Sequence, residues 1–219
     1  ASTLGKGVYG SLRSLEEATS AFYAIQRDFQ HVLAEKTIRG KEYRVLVFEG
    51  KVIAIAEFVP PTLIGNGIDT ILALIHKHNQ HLGTGSETAP IPIKPELVTI
   101  LADQGINLST IPENGASIVL YRAAPISHGG RAVDVTGRLH PANHKLFVAA
   151  TKAIHLNISG IDVITEDIGV PLADTGGVII EINGGPDLSL HQHPTNRPLF
   201  DAAEEILRLY FKLPKRTAR

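Results

Sequence analysis

The sequence lacks several residue types, and each absence excludes a class of protein or of chemistry. Among 219 residues there is no cysteine, methionine or tryptophan, and aromatic residues make up only 5%. Without cysteine the chain has no disulfide framework, no thiol nucleophile and no thiolate metal site. No apolar run approaches the ~20 residues that span a bilayer, so we expect a cytoplasmic protein without membrane contact.

Neither sign of charge dominates the sequence. Lysine and arginine total 21 and aspartate and glutamate total 22, which gives a net charge of -1. This balance offers no electrostatic reason to expect a nucleic-acid partner. The hydrophobic share of 43% is typical of a globular chain, and the length suits one sizeable domain or two small ones.

Apolar periodicity and turn residues predict a mixture of helices and strands. Helices are predicted over residues 14–27, 69–82, 94–104, 141–156 and 200–211. Strands are predicted over residues 31–36, 43–48, 51–58, 117–122, 161–167 and 177–183. Loops are predicted over residues 83–92, 127–132 and 171–177.

Two local signals refine this pattern. Ser14 and Asp69 are the predicted N-caps of the first two helices. Glu49-Gly50 predicts a two-residue hairpin between the second and third strands. Because hairpins are mixed with helices, we expect an α+β or mixed α/β fold with largely antiparallel sheets.

The start of the chain, Gly5-Lys6-Gly7-Val8-Tyr9-Gly10, matches the pattern G-x-G-x-x-G. A dinucleotide site would need a strand before it, and a Walker loop would need Ser or Thr after Lys6; the sequence shows neither. Glycines do let backbone N–H groups approach an anion such as a phosphate. From these residues alone, an anion-binding loop and a plain surface turn are both open.

Two carboxylates and an amide are predicted to meet on one face of a sheet. Side chains alternate along a strand, so Glu181 and Asn183 share one face while Ile182 lies on the other. If the strand with Asp162 pairs with this strand, Asp162 comes alongside them. Their oxygens are hard ligands that suit Mg²⁺. The alternative is an exposed face on which water solvates both acids.

Glu35 and Glu42 lie in the run AEKTIRGKEYR (34–44). An interrupted strand followed by a glutamate could offer backbone groups to a nucleobase and an acceptor to ribose hydroxyls. Without further context, two solvated acids near Lys36 and Lys41 are the favoured interpretation.

Arg122 and the run His128-Gly129-Gly130-Arg131 form a further candidate group. The forked donors of arginine suit phosphates and carboxylates. One of the two arginines is expected to be an ordinary surface charge.

Five stretches carry a pattern that extends over nearly the whole chain. They are GKGV (5–8), VLAEKTIRGKEYRVLV (32–47), VPPTLIGNG (59–67), ISHGGRAVDVTGRLHP (126–141) and GIDVITEDIGVPLADTGGVIIEINGGPDL (160–188). Together they resemble the ATP-grasp ligases, and among these the ATP-grasp domain of the cyanophycin synthetases. N-acetylglutaminylglutamine synthetase and bifunctional glutathione synthetase are similar as well.

The resemblance implies an α+β ATP-grasp fold, in which two α+β subdomains with antiparallel sheets hold ATP between them. Residues 1–38 would belong to the lid subdomain, with its glycine loop, helix and hinge strand. Residues 39–219 would form the C-terminal subdomain with the magnesium and acyl sites. The N-terminal subdomain of this fold is expected to be missing from the chain.

The resemblance also implies a role for each candidate residue. Nucleotide contacts would come from Gly5, Lys6, Gly7, Val8, Glu35, Lys36, Ile38 and Glu42. The metal ligands would be Asp162, Glu181 and Asn183. The loop beside the acyl group would be His128, Gly129 and Gly130. The catalytic arginines, facing the transferred phosphate or the acyl substrate, would be Arg122 and Arg44.

The implied reaction joins a carboxylate to an amine with ATP and Mg²⁺, and Mn²⁺ is an alternative metal. The carboxylate takes the γ-phosphate to become an acyl phosphate, and an amine then displaces phosphate to form an amide. We expect amino acids or short peptides as substrates, no nucleic-acid or membrane partner, and a chain able to form a homo-oligomer. The alternative is a catalytically incomplete nucleotide-binding module, either a fragment or a regulatory domain.

Two departures from the family pattern lie near the implied acyl site. Pro125 stands where similar loops often have asparagine, and Asp187 stands where glycine is usual after EIN. A proline removes a backbone donor and fixes φ, so the substrate contact should differ. Because the family's N-terminal subdomain and a phosphate-contacting lysine before the glycine loop are absent from the sequence, we expect the isolated chain to bind nucleotide poorly and to show little ligase activity.

Overall fold

Most of the regular structure lies in residues 40–219, which form one of two units of the chain; the other unit is residues 1–39. The structure is a computed structural model that describes residues 9, 12, 14–82, 89–121, 129–192, 196 and 201–213. Its strands are β1 (Lys41–Phe48), β2 (Lys51–Val59), β3 (Thr62–Ile64), β4 (Ser117–Val119), β5 (Arg131–Asp134), β6 (Ile158–Thr165) and β7 (Val178–Asn183). Its helices are α1 (Leu15–Gln26), α2 (Ile71–His81), α3 (Pro95–Asp103), α4 (Pro141–Ala153), α5 (Leu172–Thr175), α6 (Ser189–Gln192) and α7 (Ala202–Tyr210).

The unit of residues 1–39 contains helix α1, which begins as predicted. The Ser14 hydroxyl accepts a hydrogen bond from the backbone N–H of Glu17 at 3.1 Å, which satisfies one of the free donors of the first turn. The strand predicted over residues 31–36 is wrong, because this segment has no regular structure and Leu33 is 80% exposed. A strand needs a partner for its backbone groups, and no described residue pairs with this segment.

The β1–β2 hairpin confirms the turn predicted from Glu49-Gly50. The strands pair up to Phe48 opposite Lys51, and the two turn residues have φ angles of 43° and 77°. Positive φ at both central positions matches the right-handed twist of the flanking strands, and this favours glycine at the second position.

The main sheet has five antiparallel strands in the order β5-β2-β1-β6-β7. One face carries the larger apolar core, with α4 packed on β1, β2 and β6. Within that core Val45, Ile161 and Phe147 are completely buried. Burial of such side chains stabilises the fold by roughly 1.5–3 kcal/mol each.

On the opposite face of the sheet, the described residues of the 40–219 unit pack along only part of its length. Leu46 and Ala54 pack there against Ala202 of α7, and all three are fully buried. Farther along the same face, Glu42 is exposed and Arg44 is partly exposed. This second half of the face, around Glu42 and Arg44, is called the open face below, and it holds the candidate site.

A smaller layer is built from the two-stranded sheet β3–β4 and helices α2 and α3. Its core includes the fully buried side chains of Ile71, Ile75, Leu97, Leu101 and Leu120. The α2 helix begins one residue later than predicted. Its N-cap is Thr70, whose hydroxyl accepts from the N–H of Ala73 at 3.2 Å.

Asp69 was therefore wrongly assigned as that cap. Its carboxylate instead accepts from Lys77 at 2.7 Å and from Asn66 at 2.6 Å. Because these partners hold Asp69 outside the first turn, the weaker capping residue Thr70 takes the position.

Three further predictions need correction in their bounds. The predicted loop at 127–132 includes Arg131 and Ala132 of β5, which pair with β2. The predicted turn at 171–177 contains the short helix α5, and strand β4 ends at Val119.

No helix among the described residues is both long and apolar enough to cross a lipid bilayer.

Candidate functional site

Asp162, Glu181 and Asn183 lie together on the open face. Asp162 of β6 is the cross-strand partner of Glu181 of β7, and Asn183 is opposite Gly160, two residues before Asp162. Directly paired residues in an antiparallel sheet point to the same side, with Cβ atoms typically ~4.5–5.5 Å apart. The two strands thus bring together the oxygens that the sequence predicted to meet.

A β-bulge sets the orientation of Glu181. Ile179 pairs with Val163 and Glu181 pairs with Asp162, so Ile180 is an extra residue between them. Ile179 and Ile182 both pack against the main core, while Ile180 is 55% exposed. With regular pairing from Ile179 onward, Glu181 would instead face the core beside Ile161. Bulges of this kind are frequent next to active sites, where they redirect a side chain.

Arg44 binds Asp162 through two parallel hydrogen bonds. Its Nε donates to Oδ1 at 2.5 Å and its Nη2 donates to Oδ2 at 3.1 Å. The two residues are cross-strand partners on β1 and β6, and their side chains are only 17% and 26% exposed. Such forked, partly buried pairs are stronger and more specific than pairs in open solvent.

Gly160 leaves the room that the Arg44 side chain occupies. A Cβ atom at this position would lie 2.9 Å from Cβ of Pro186 and 3.4 Å from Cδ and Nη1 of Arg44. The arginine therefore runs closely over the backbone of β6. A side chain at residue 160 would push on both the arginine and the loop that carries Pro186.

Asp187, in the same loop, lies near Arg44. Hydrogen bonds from Ser189 lower the pKa of the Asp187 carboxyl, with a smaller contribution from the positive charge of Arg44. One of those bonds joins the Ser189 backbone N–H to Oδ1 at 2.9 Å. This residue, which departs from the family pattern, thus adds an ionised carboxylate beside the site.

Glu42 lies two residues before Arg44 on β1 and shares the open face. Its cross-strand partners are Phe58 of β2 and Ile164 of β6. Although the residue is exposed, loss of water around the carboxyl raises its pKa, and the negative charge of Asp162 raises it further. Both effects disfavour the ionised form of the Glu42 carboxyl.

A cavity of about 220 Å³ opens at the same end of the sheet, lined by Gly40, Lys41, Glu42 and Glu57–Pro60. It is smaller than the ~300–1,000 Å³ typical of small-molecule sites. The cavity could therefore take part of a ligand whose remainder lies on the open face.

The open face carries more negative than positive charge. Among the residues that the structure describes on this face, Glu42, Asp162 and Glu181 lie with one arginine, Arg44. No group of three or more acidic or histidine side chains surrounds a common metal position in the part of the chain that the structure describes. The donor set of two carboxylates and the Asn183 amide suits Mg²⁺, which commonly binds one or two carboxylates together with water and phosphate oxygens.

The other predicted site residues lie elsewhere or outside the described residues. Glu35 and Lys36 are exposed and Ile38 is half-buried, in the segment after α1. The residues predicted to form the glycine loop, Gly5 to Val8, lie outside the described residues, as do Arg122 and His128. Their predicted roles stay predictions.

Gly129 has a packing reason to be glycine. Its φ is +84°, and a Cβ atom there would lie 2.7 Å from Cγ1 of Ile91 and 3.5 Å from Pro61. Gly130 beside it is buried. These contacts explain the glycine without testing its predicted place beside an acyl group.

Sequence reasoning missed Glu57. Its side chain is only 11% exposed on the core side of the sheet, where it pairs with Lys41 at 3.0 Å and Arg138 at 3.7 Å. Arg138 also donates to Asp167 at 2.8 Å. The signal was a single acid in the otherwise apolar run KVIAIAEF (51–58).

The chain is similar to known proteins both in sequence and in structure. No protein-family model matches the chain. It is 36% identical over 211 residues to a cyanophycin synthetase of Trichormus variabilis, which covers 94% of this chain and 23% of that protein. It is 32% identical over 212 residues to a bifunctional glutathione biosynthesis protein of Clostridium perfringens, which covers 95% of this chain and 27% of that protein.

A solved structure agrees with these relatives. The crystal structure of a bifunctional glutathione synthetase from Pasteurella multocida superposes with a TM-score of 0.67 at 25% identity, covering 97% of this chain and 30% of that one. The chain belongs to the ATP-grasp ligase family. The α+β ATP-grasp fold predicted from the motifs is thereby confirmed.

This ATP-grasp chain spans about a quarter of the length of the curated relatives that it matches. What those longer proteins do as wholes is therefore a separate question from what this chain does.

Proposed function

We propose that this chain provides the ATP- and magnesium-binding part of a ligase that joins a carboxylate to an amine. The observation that supports this most is the pairing of Asp162 with Glu181, with Asn183 on the same open face. Family membership gives that arrangement a chemical context, since the relatives are named synthetases of cyanophycin and of glutathione.

The charge of the site supports phosphate chemistry. Asp162, Glu181 and Asn183 would hold Mg²⁺, which would supply positive charge against the negative charge of the phosphates. Arg44 would bind phosphate or carboxylate oxygens through its forked guanidinium. Glu42 would accept hydrogen bonds from ribose hydroxyls at the edge of the cavity.

The reaction would proceed in two steps. A substrate carboxylate attacks the γ-phosphate of ATP, the bond to ADP breaks, and an acyl phosphate forms. An amine then attacks the acyl carbon, phosphate leaves, and the amine loses a proton as the amide forms. Positioning and electrostatics supply most of the catalysis, so no dedicated nucleophile is required.

The substrates we propose are amino acids or short peptides, in line with the products named by the relatives. Asp187, beside Arg44, would change the charge that the acyl group meets.

Isothermal titration of the 219-residue chain with ATP, with and without Mg²⁺, tests the nucleotide part. We expect weak binding that depends on the metal, and the absence of any magnesium-dependent heat at millimolar ATP would contradict the proposal. Phosphate release that requires an added amino acid or dipeptide would separate a ligase from a nucleotide-binding module without turnover.

A further inference from the structure

Both carboxylate oxygens of Asp162 already have a cationic partner in the protein. Arg44 Nε binds Oδ1 and Arg44 Nη2 binds Oδ2. The Arg44 side chain also runs over the backbone of Gly160, where an added Cβ atom would lie 3.4 Å from Cδ and Nη1 of the arginine. Arg44 is therefore held on Asp162 by two hydrogen bonds and by opposite charge.

We propose that Arg44 is a positioning residue that occupies Asp162 before nucleotide arrives and so suppresses the binding of divalent metal to the Asp162–Glu181 pair. This inference rests on the proposed function, because it takes the two carboxylates as metal ligands. It adds an order of events: nucleotide and metal enter together, and metal alone binds weakly.

The local charges support competition between the arginine and a metal ion. Among the described residues, Glu42, Asp162, Glu181 and the neighbouring Asp187 leave three excess negative charges when Arg44 is present and four when it is removed. A divalent ion bound to Asp162 would also lie close to the guanidinium and be repelled by it. Losing that repulsion should tighten metal binding by about tenfold, even with the screening of a partly exposed site.

The chemistry of a nucleotide supports the release of Asp162. Phosphate oxygens are acceptors for the same forked donors that now bind the carboxylate. A triphosphate on the open face would therefore give Arg44 an alternative partner and leave Asp162 available to the metal. Asp187, whose ionised carboxyl already lies near Arg44, is a second group toward which the guanidinium can turn.

Titration of the full 219-residue chain with Mn²⁺, without nucleotide and with free Mn²⁺ followed by electron paramagnetic resonance, tests the inference. We expect Arg44→Gln to bind Mn²⁺ about tenfold more tightly than the original chain. The matched control is Arg138→Gln, which removes an arginine that pairs with Glu57 and Asp167 on the other side of the sheet. We expect its Mn²⁺ affinity to change by less than about twofold, because this half-exposed charge lies on the other side of the sheet and is screened by water and salt.

Two more variants locate the effect and protect against a folding defect. Adding Asp162→Asn to Arg44→Gln should abolish the gain, because the freed carboxylate is then missing. If circular dichroism shows that Arg44→Gln is unfolded, Arg44→Lys replaces it. A lysine keeps the charge but cannot form the forked contact, so a smaller gain in affinity is expected.

Two results would overturn the inference. Arg44 variants that fold and bind Mn²⁺ no more tightly than the original chain would refute it, as would an equal gain in Arg138→Gln. Failure of the proposed function looks different. In that case the original chain shows no magnesium-dependent ATP binding, whatever Arg44→Gln does to Mn²⁺ alone.

Discussion

The two faces of the main sheet each carry a charged group, and the two groups differ in their balance. On the core side, Glu57 and Asp167 are matched by Lys41 and Arg138. On the open face, as far as its residues are described, Arg44 is the one cation beside several carboxylates, Asp162 and Glu181 among them. The carboxylates of the balanced group need no additional positive charge, whereas the carboxylates of the unbalanced group favour the binding of a cation. The candidate site is therefore marked by negative charge that has no matching positive charge, and not by charge as such.

The largest expected effect comes from removing a proposed ligand on the open face. Glu181→Gln or Asp162→Asn should weaken magnesium-dependent ATP binding by at least about 100-fold. Loss of a residue that only supports a metal ligand already costs up to about 100-fold, and loss of a ligand itself should cost no less. Isothermal titration measures this. Glu57→Gln is the matched control on the balanced side, and a similar loss there would erase the distinction between the two groups.

Gly160→Ala is expected to have the next largest effect. The new methyl group would meet Cβ of Pro186 at 2.9 Å and the Arg44 side chain at 3.4 Å. Overpacking of this kind costs about 1–3 kcal/mol, measurable as a lower free energy of unfolding in urea.

Gly137→Ala is the control for that substitution, since a Cβ atom there has nothing within 4 Å. Equal stability of the two alanine variants would show that the loop carrying Pro186 can move away from β6 at little cost.

A smaller effect is expected from the balanced group. Glu57→Gln removes a nearly buried charge, but its partners Lys41 and Arg138 are half exposed. Water can therefore solvate the released cations, so we expect about 1 kcal/mol of lost stability, below the 3–5 kcal/mol of a fully buried pair. Thermal unfolding followed by circular dichroism tests this, and Mn²⁺ affinity should stay unchanged.

The smallest effect concerns pH. The Glu42 carboxyl has a pKa above its usual value of 4.5 because of burial and the charge of Asp162. Between the usual and the raised pKa the folded chain binds more protons than the unfolded chain, so stability falls as pH rises through that window.

Glu42→Gln should remove this part of the pH dependence and slightly raise the melting temperature at neutral pH. Comparison of melting temperatures at several pH values from 4 to 7 checks it. A variant that is less stable at neutral pH would show that the ionised Glu42 has a favourable partner.

Much of the fold could be predicted because its signals are local. The hairpin at Glu49-Gly50 and the start of α1 at Ser14 depend on neighbours within a few residues, and both are confirmed. The strand predicted at 31–36 was wrong because an apolar run does not reveal whether a partner strand exists. The cap of α2 was misplaced because Lys77, eight residues away, holds Asp69.

The candidate site was predictable in part. The proximity of Asp162 and Glu181 followed from two strands joined by a short connection. The pairing of Arg44 with Asp162 joins residues 118 positions apart, and it depends on the register of β1 with β6. No periodicity encodes that register, so the residue pattern could not predict Asp162 as the partner of Arg44.

Because of the extra residue in β7, Glu181 helps to fix the register in which β7 pairs with β6. If β7 paired with β6 without the bulge, Glu181 would lie in the apolar core beside Ile161, where an ionised group is disfavoured. Ile180 would then lie next to Asp162. The carboxylate thus penalises the slipped arrangement by its own chemistry. Replacing Glu181 with leucine would remove that penalty and allow β7 to shift by one residue, whereas glutamine, which is polar but uncharged, would keep only part of it.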